Sequence, residues 1–188
     1  MPIPADPAAP ENSAANNPMA WLENFERDFG MLPLEEKEAI KDFCLLWSVC
    51  EGQFLNRNAN TKKIRGAVNK LAKRGYLSLE AFRTAIDHFM TRYWDGKNKQ
   101  FTPLFYELRV AEDDQELVKK FIRGQLKDKA EILSALLIIV YRLRNNLFHG
   151  EKWASGIRNQ PFRHANDVLM AVVDQHTGHM SGTPTRLV

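Results

Sequence analysis

The stretch Asp128-Lys-Ala-Glu131-Ile-Leu-Ser-Ala-Leu-Leu-Ile-Ile-Val-Tyr141-Arg-Leu-Arg144-Asn145-Asn-Leu-Phe-His149-Gly150 decides the fold. Asp128 with Glu131 three residues later has the form of a capping box, in which side chains satisfy the orphan N–H groups of a helix start. Leu133, Leu136, Leu137, Val140 and Tyr141 then recur at three- and four-residue spacing, the period of a helix packed against a core. The apolar run from Ile132 to Tyr141 is roughly half of the ~20 residues needed to cross a bilayer, so it predicts a core helix and no membrane span. Gly150 suits the left-handed C′ position where such a helix stops.

The same period extends outward in both directions. Pro18 behind Asn16 and Asn17 is a first helical position behind an amide cap, and predicts a helix to about Phe29. From about Leu34 to Leu55, Ile40, Phe43, Cys44, Trp47, Cys50 and Phe54 form the stripe of a long amphipathic helix. Thr61 can cap a helix with inner face Ile64, Val68 and Leu71, closed by Gly75. Ser78 opens another, with Leu79, Phe82, Ile86, Phe89, Met90 and Tyr93 inward, until Asp95 and Gly96 break it. Phe101 to Arg109 reads as a connector with one helical turn. Asp113 or Asp114 can start a helix carrying Leu117, Val118, Phe121 and Ile122, and Gly124 closes it. A last helix from about Arg163 carries Val168, Leu169, Val172 and Val173. No stretch shows a period of two, and no segment repeats, so the expectation is an all-α, multi-helix up-and-down bundle. A single domain over 18–176 is expected, between a disordered tail at 1–17 and a flexible tail at 177–188.

At 188 residues and 44% hydrophobic content the chain can bury a sizeable core. A formal charge of +3 is mild, so any affinity for nucleic acid must come from local patches. Cys44 and Cys50, six apart in a helical pattern, cannot bridge one another and read as reduced thiols of a cytoplasmic protein. The proline-rich start lacks the basic onset and apolar centre of a signal peptide. The chain has no Gly-rich phosphate loop, Gly-x-Ser-x-Gly elbow or paired cysteine set, which removes the common nucleotide, hydrolase and zinc readings. His176 and His179 form a His-x-x-His pair with only Asp174 nearby, so neither a metal nor any other cofactor is assigned.

The richest chemistry is Arg144, Asn145 and His149 at the end of the apolar helix. An arginine can clamp a phosphate through its planar fork, and a histidine can take and give a proton near neutral pH. In an ideal helix positions four apart are neighbours while positions five apart are rotated by about 140°, so Asn145 and His149 share a face but Arg144 and His149 do not. Two routes would bring the pair together: a helix end at Gly150 that redirects His149, or a two-fold dimer in which the helices of two subunits face one another. Read without its context, Arg144 would lie on the bundle surface, and His149 would sit where the helix dipole favours a cation by ~0.3–1 kcal/mol.

Arg144-Asn145-Asn-Leu-Phe-His149-Gly150 resembles the Arg-polar-x-x-x-His signature of the HEPN (higher eukaryotes and prokaryotes nucleotide-binding) superfamily, over about ten residues on a late helix of an α-bundle. The resemblance implies a metal-independent endoribonuclease of bacterial toxin–antitoxin or anti-phage systems, usually a homodimer, with Arg144 and His149 as the active pair and Asn145 positioning them. It also implies an antitoxin or other regulatory partner. Attack of the ribose 2′-OH on the adjacent phosphorus would leave a 2′,3′-cyclic phosphate and a 5′-hydroxyl. An alternative is a non-catalytic RNA-, nucleotide- or protein-binding module of the same fold.

The best candidate for an RNA-backbone track is Arg57, Lys62, Lys63, Arg65, Lys70, Lys73 and Arg74, a run without an acidic residue between Asn56 and Gly75. The competing reading is a solvated helix face. Lys152, Arg158 and Arg163 follow the Arg-Asn-x-x-x-His string and could flank a scissile phosphate. Trp153, four residues after His149, is the tryptophan best placed to stack on a base, whereas Trp47 and Trp94 read as core.

Overall fold

A computed structural model describes residues 17–148 and 161–178 of the chain. Both predicted tails fall almost wholly outside the described residues. The described residues form an all-α structure, in two compact units that divide between Pro33 and Leu34.

In the first unit, Asn17 caps α1 (Pro18–Phe25) by accepting from the N–H groups of Met19 and Ala20. The single helix expected to Phe29 is broken at Glu26, whose extended backbone separates α1 from α2 (Arg27–Gly30). A Cβ at Gly30 would lie 2.5 Å from the Glu23 carbonyl oxygen, so only glycine allows the chain to turn back this tightly.

The second unit contains α3 (Leu34–Gln53), α4 (Thr61–Lys73), a 3-10 turn at Glu80–Phe82 running into α5 (Arg83–Tyr93), and α6 (Pro103–Glu107). There follow α7 (Glu112–Ile122), α8 (Lys129–Phe148) and α9 (Pro161–Thr177). Between α5 and α6 the strands β1 (Trp94–Asp95) and β2 (Gln100–Phe101) pair antiparallel, which no period in so short a run could have signalled. The Asp95 carboxylate holds that turn by accepting from Lys97 and Asn98.

The center of the bundle is α8. Every residue from Leu133 to Val140 is buried, because α4 and α7 pack along it, α9 touches it, and α9 in turn lies against α3 and α5. Ile64, Val68 and Leu71 face inward from α4, as their spacing predicts, and Phe43 on α3 meets Phe162 on α9 edge-on at 4.9 Å. Gly75 and Gly124 take positive φ after α4 and α7, the left-handed conformation in which a helix end satisfies its last carbonyls.

Capping departs from the sequence reading in two places. Asn60, not Thr61, caps α4, its side chain accepting from the Lys63 N–H at 2.9 Å. Asp113 and Asp114 do not cap α7, which begins at Glu112 behind Ala111. Asp114 is instead buried and ion-paired with Arg65, tying α7 to α4 across α8. Cys50 is buried, which pushes its thiol up to about 12, while Cys44 is half-buried. Among the described residues no helix is long and apolar enough to cross a membrane.

Phe43 is fully enclosed, so Phe43→Ala removes the ring that joins α3 to α9. We expect a loss of about 3–5 kcal/mol. Urea titration reads it as a lower midpoint at an unchanged slope.

Candidate functional site

The unbroken run of buried residues along α8 ends at Val140, and beyond it only Leu143 and Asn145 are buried. After Val140 the exposed side of the helix turns polar, and Arg142, Arg144, Asn145 and Asn146 each find a different partner. Arg142 donates from Nε to the Leu108 carbonyl at 2.9 Å, and Asn146 donates from Nδ2 to the Glu107 carbonyl at 2.9 Å. Both therefore hold the end of α6, where Arg109 stands in the left-handed region at φ 51. Arg142 had no assigned role from sequence; it is an anchor.

Arg144 is half-buried and lies between two rings. Its guanidinium carbon is 4.8 Å from the center of the Phe148 ring and 6.0 Å from that of Trp47. Its Nη1 donates to Asn145 Oδ1 at 3.3 Å. Asn145, 9% exposed, thus accepts from the arginine at the preceding position along the helix. The two ring faces and one hydrogen bond restrict the guanidinium, whose Nε is enclosed with no hydrogen-bond partner among the described residues, so only its Nη end can meet an anion. Phe148 itself is exposed.

His149 lies outside the described residues, as do Lys152, Trp153 and Arg158. Arg163 is described and exposed on the first turn of α9.

The ring beneath Arg144 links α8 to the basic segment. Trp47 donates from Nε1 to Glu51 Oε2 at 2.9 Å, and Glu51 Oε1 accepts from the Ala59 N–H at 2.7 Å. Between them Asn56, Arg57 and Asn58 all stand at positive φ, 52, 59 and 52. Asparagine tolerates this conformation through its short polar side chain; arginine pays about 1–2 kcal/mol for it. The strain persists because the loop is held from three sides: Arg57 N–H to the Glu51 carbonyl, Ala59 N–H to the Glu51 carboxylate, and Lys63 Nζ to the Arg57 carbonyl at 2.6 Å.

The seven predicted RNA-contacting residues of this region do not all share a face. Lys62, Lys70 and Lys73 are exposed on the side of α4 opposite Ile64, Val68 and Leu71, Arg74 is exposed at its C-cap, and Lys63 is half-buried on the flank. Arg57 is exposed on the loop. Arg65 turns to the flank and pairs with Asp114.

One cluster carries no motif in the sequence. His88 on α5 and His164 on α9 stack with ring centers 3.9 Å apart and planes 27° apart, and Phe89 meets His88 edge-on. His88 Nε2 and His164 Nδ1 are enclosed with no hydrogen-bond partner among the described residues. Burial, then His164 and Arg92, hold His88 down at about 4; burial and Arg163 lower His164 against the opposing pull of Asp167. The two residues are 76 positions apart, so no local pattern could have joined them. His176 packs edge-on against Phe54, and His179 lies outside the described residues. Among the described residues no group of three metal-ligating side chains converges.

Comparison with family models, with curated proteins and with solved structures finds no match to this chain.

The histidine pair makes stability depend on pH. The folded chain holds His88 neutral down to about 4, whereas the unfolded chain takes a proton near 6.5. In that window the unfolded state binds more protons, so stability falls as pH falls and levels off once the folded form protonates too. Urea midpoints measured from pH 7 to pH 5 should decline for the wild type, and more shallowly for the double variant His88→Asn/His164→Asn.

Proposed function

We propose that this chain is a metal-independent endoribonuclease of HEPN type, acting as a homodimer in bacterial anti-phage defence or as a toxin. The observation that carries the reading is the Arg144-Asn145-Asn-Leu-Phe-His149-Gly150 string at the end of a central helix, with its guanidinium held by Trp47, Phe148 and Asn145. An arginine fixed by packing needs little reorganisation to meet the charge that builds on a phosphoryl group.

In the proposed reaction the 2′-oxygen of the substrate attacks the adjacent phosphorus, a new O–P bond forms, and the bond to the 5′-oxygen of the next nucleotide breaks. His149 takes the proton of the 2′-hydroxyl and returns it to the leaving 5′-oxygen, and Arg144 neutralises the non-bridging oxygens. The products are a 2′,3′-cyclic phosphate and a 5′-hydroxyl. DNA, which lacks the 2′-hydroxyl, is inert. A regulatory or antitoxin-like partner would keep such an enzyme silent in its own cell.

A second reading is favoured by the basic outward side of α4, which needs no histidine: a helical module that binds RNA without cutting it. Cleavage in EDTA separates the two. Under the first, His149→Ala should lower the rate by about 10²–10⁴ and Arg144→Ala by about 10²–10³. Both should leave the fold intact by circular dichroism, and the wild-type products should carry cyclic-phosphate ends. Equal cleavage by wild type and His149→Ala would remove the catalytic reading.

A further inference from the structure

Gly66 stands in the middle of α4, exposed, in helical conformation, with nothing within 4 Å of the place a Cβ would take. Nothing inside the fold requires a glycine there, and alanine would make the more stable helix. What surrounds it is specific. On a helix surface the neighbours of a position lie three and four residues away, and for Gly66 these are Lys62, Lys63, Asn69 and Lys70. Lys73, one further turn along, extends the same side. A notch in the helix surface is therefore flanked by the exposed Lys62, Asn69 and Lys70, with Lys63, whose ammonium donates to the Arg57 carbonyl, at its edge.

No acidic residue occurs between Asn56 and Leu79, so nothing in that segment offsets the positive field. Arg65, the one basic side chain of α4 turned toward α7, is paired with Asp114.

We propose that the outward side of α4 is the docking surface for an RNA backbone, with Gly66 the point where sugar and phosphate come closest to the helix. Lys62 and Lys70 contact phosphates around the notch, and Asn69 offers an amide that can donate to a phosphate oxygen or pair with a 2′-hydroxyl. Charge complementarity selects a polyanion. The choice of RNA among polyanions rests on the ribonuclease reading above; the use of Gly66 does not.

The test uses the full chain and a fluorescently labelled RNA oligonucleotide carrying 2′-O-methyl groups, which keeps the backbone charge and cannot be cut by 2′-OH attack. Gly66→Ala and Gly66→Leu fill the notch. Gly66→Ala should melt roughly 2–4 °C higher, and Gly66→Leu should bind roughly tenfold more weakly by anisotropy. Higher stability with lower affinity is an outcome a merely structural glycine would not produce. Gly52, another exposed glycine in the last turns of α3 with nothing within 4 Å, is the control: Gly52→Leu should leave binding unchanged. Lys62→Gln/Lys70→Gln should reduce the slope of log affinity against log salt by about 1.4.

Binding by Gly66→Leu equal to wild type would overturn the proposal, as would no binding of the oligonucleotide at low salt. Displacement of the RNA by a poly-glutamate peptide at equal charge would replace RNA with an acidic protein partner and overturn it too. The nuclease reading fails separately, if natural RNA stays intact while binding still depends on Gly66.

Discussion

A helix whose every side is buried has to be surrounded, and that requirement organises the bundle. From Leu133 to Val140 no residue of α8 reaches solvent, so α4, α7 and α9 must pack on it. Burial of so much aliphatic surface is the dominant favourable term, at roughly 25 cal/mol for each Å² removed from water. It also limits where polar chemistry can stand. Arg142, Arg144, Asn145 and Asn146 occur only after the apolar run ends, and each side chain meets a stated partner there.

That transition point is supported from below. Trp47 is part of the α3 core face, yet its indole N–H reaches Glu51 and its ring lies under Arg144 and beside Tyr141. Glu51 serves both the indole and the strained loop that leads into α4. A single carboxylate on α3 thus couples the ring beneath the guanidinium to the start of the basic helix, and one rigid element positions both halves of the proposed RNA surface. Precise placement of a charged group follows from packing of this kind more than from the charge itself.

Much of the bundle was legible because helix packing is written in local period. Ile64, Val68 and Leu71 on α4, and Ile40, Phe43, Trp47 and Cys50 on α3, are buried as their spacing predicts. The break at Glu26 and the pairing of Trp94–Asp95 with Gln100–Phe101 were not legible, since each spans too few residues to show a period. Asp114 illustrates a different failure. An acidic residue near a helix start reads as a cap, but its partner Arg65 lies 49 positions away, and only packing on α8 brings the two together. The stacking of His88 on His164 was invisible for the same reason.

The sequence alone determined the helices, the identity of the central one, and the short string of Arg144, Asn145 and His149, because period, caps and neighbouring residues are properties of adjacent positions. Tertiary structure decided which charges are spoken for. It placed Arg65 against Asp114, Arg142 against Leu108 and Arg144 between Trp47 and Phe148, and left lysines around Gly66 facing outward. A side chain's partner is set by which helices meet across the core, and that meeting is a property of the whole fold.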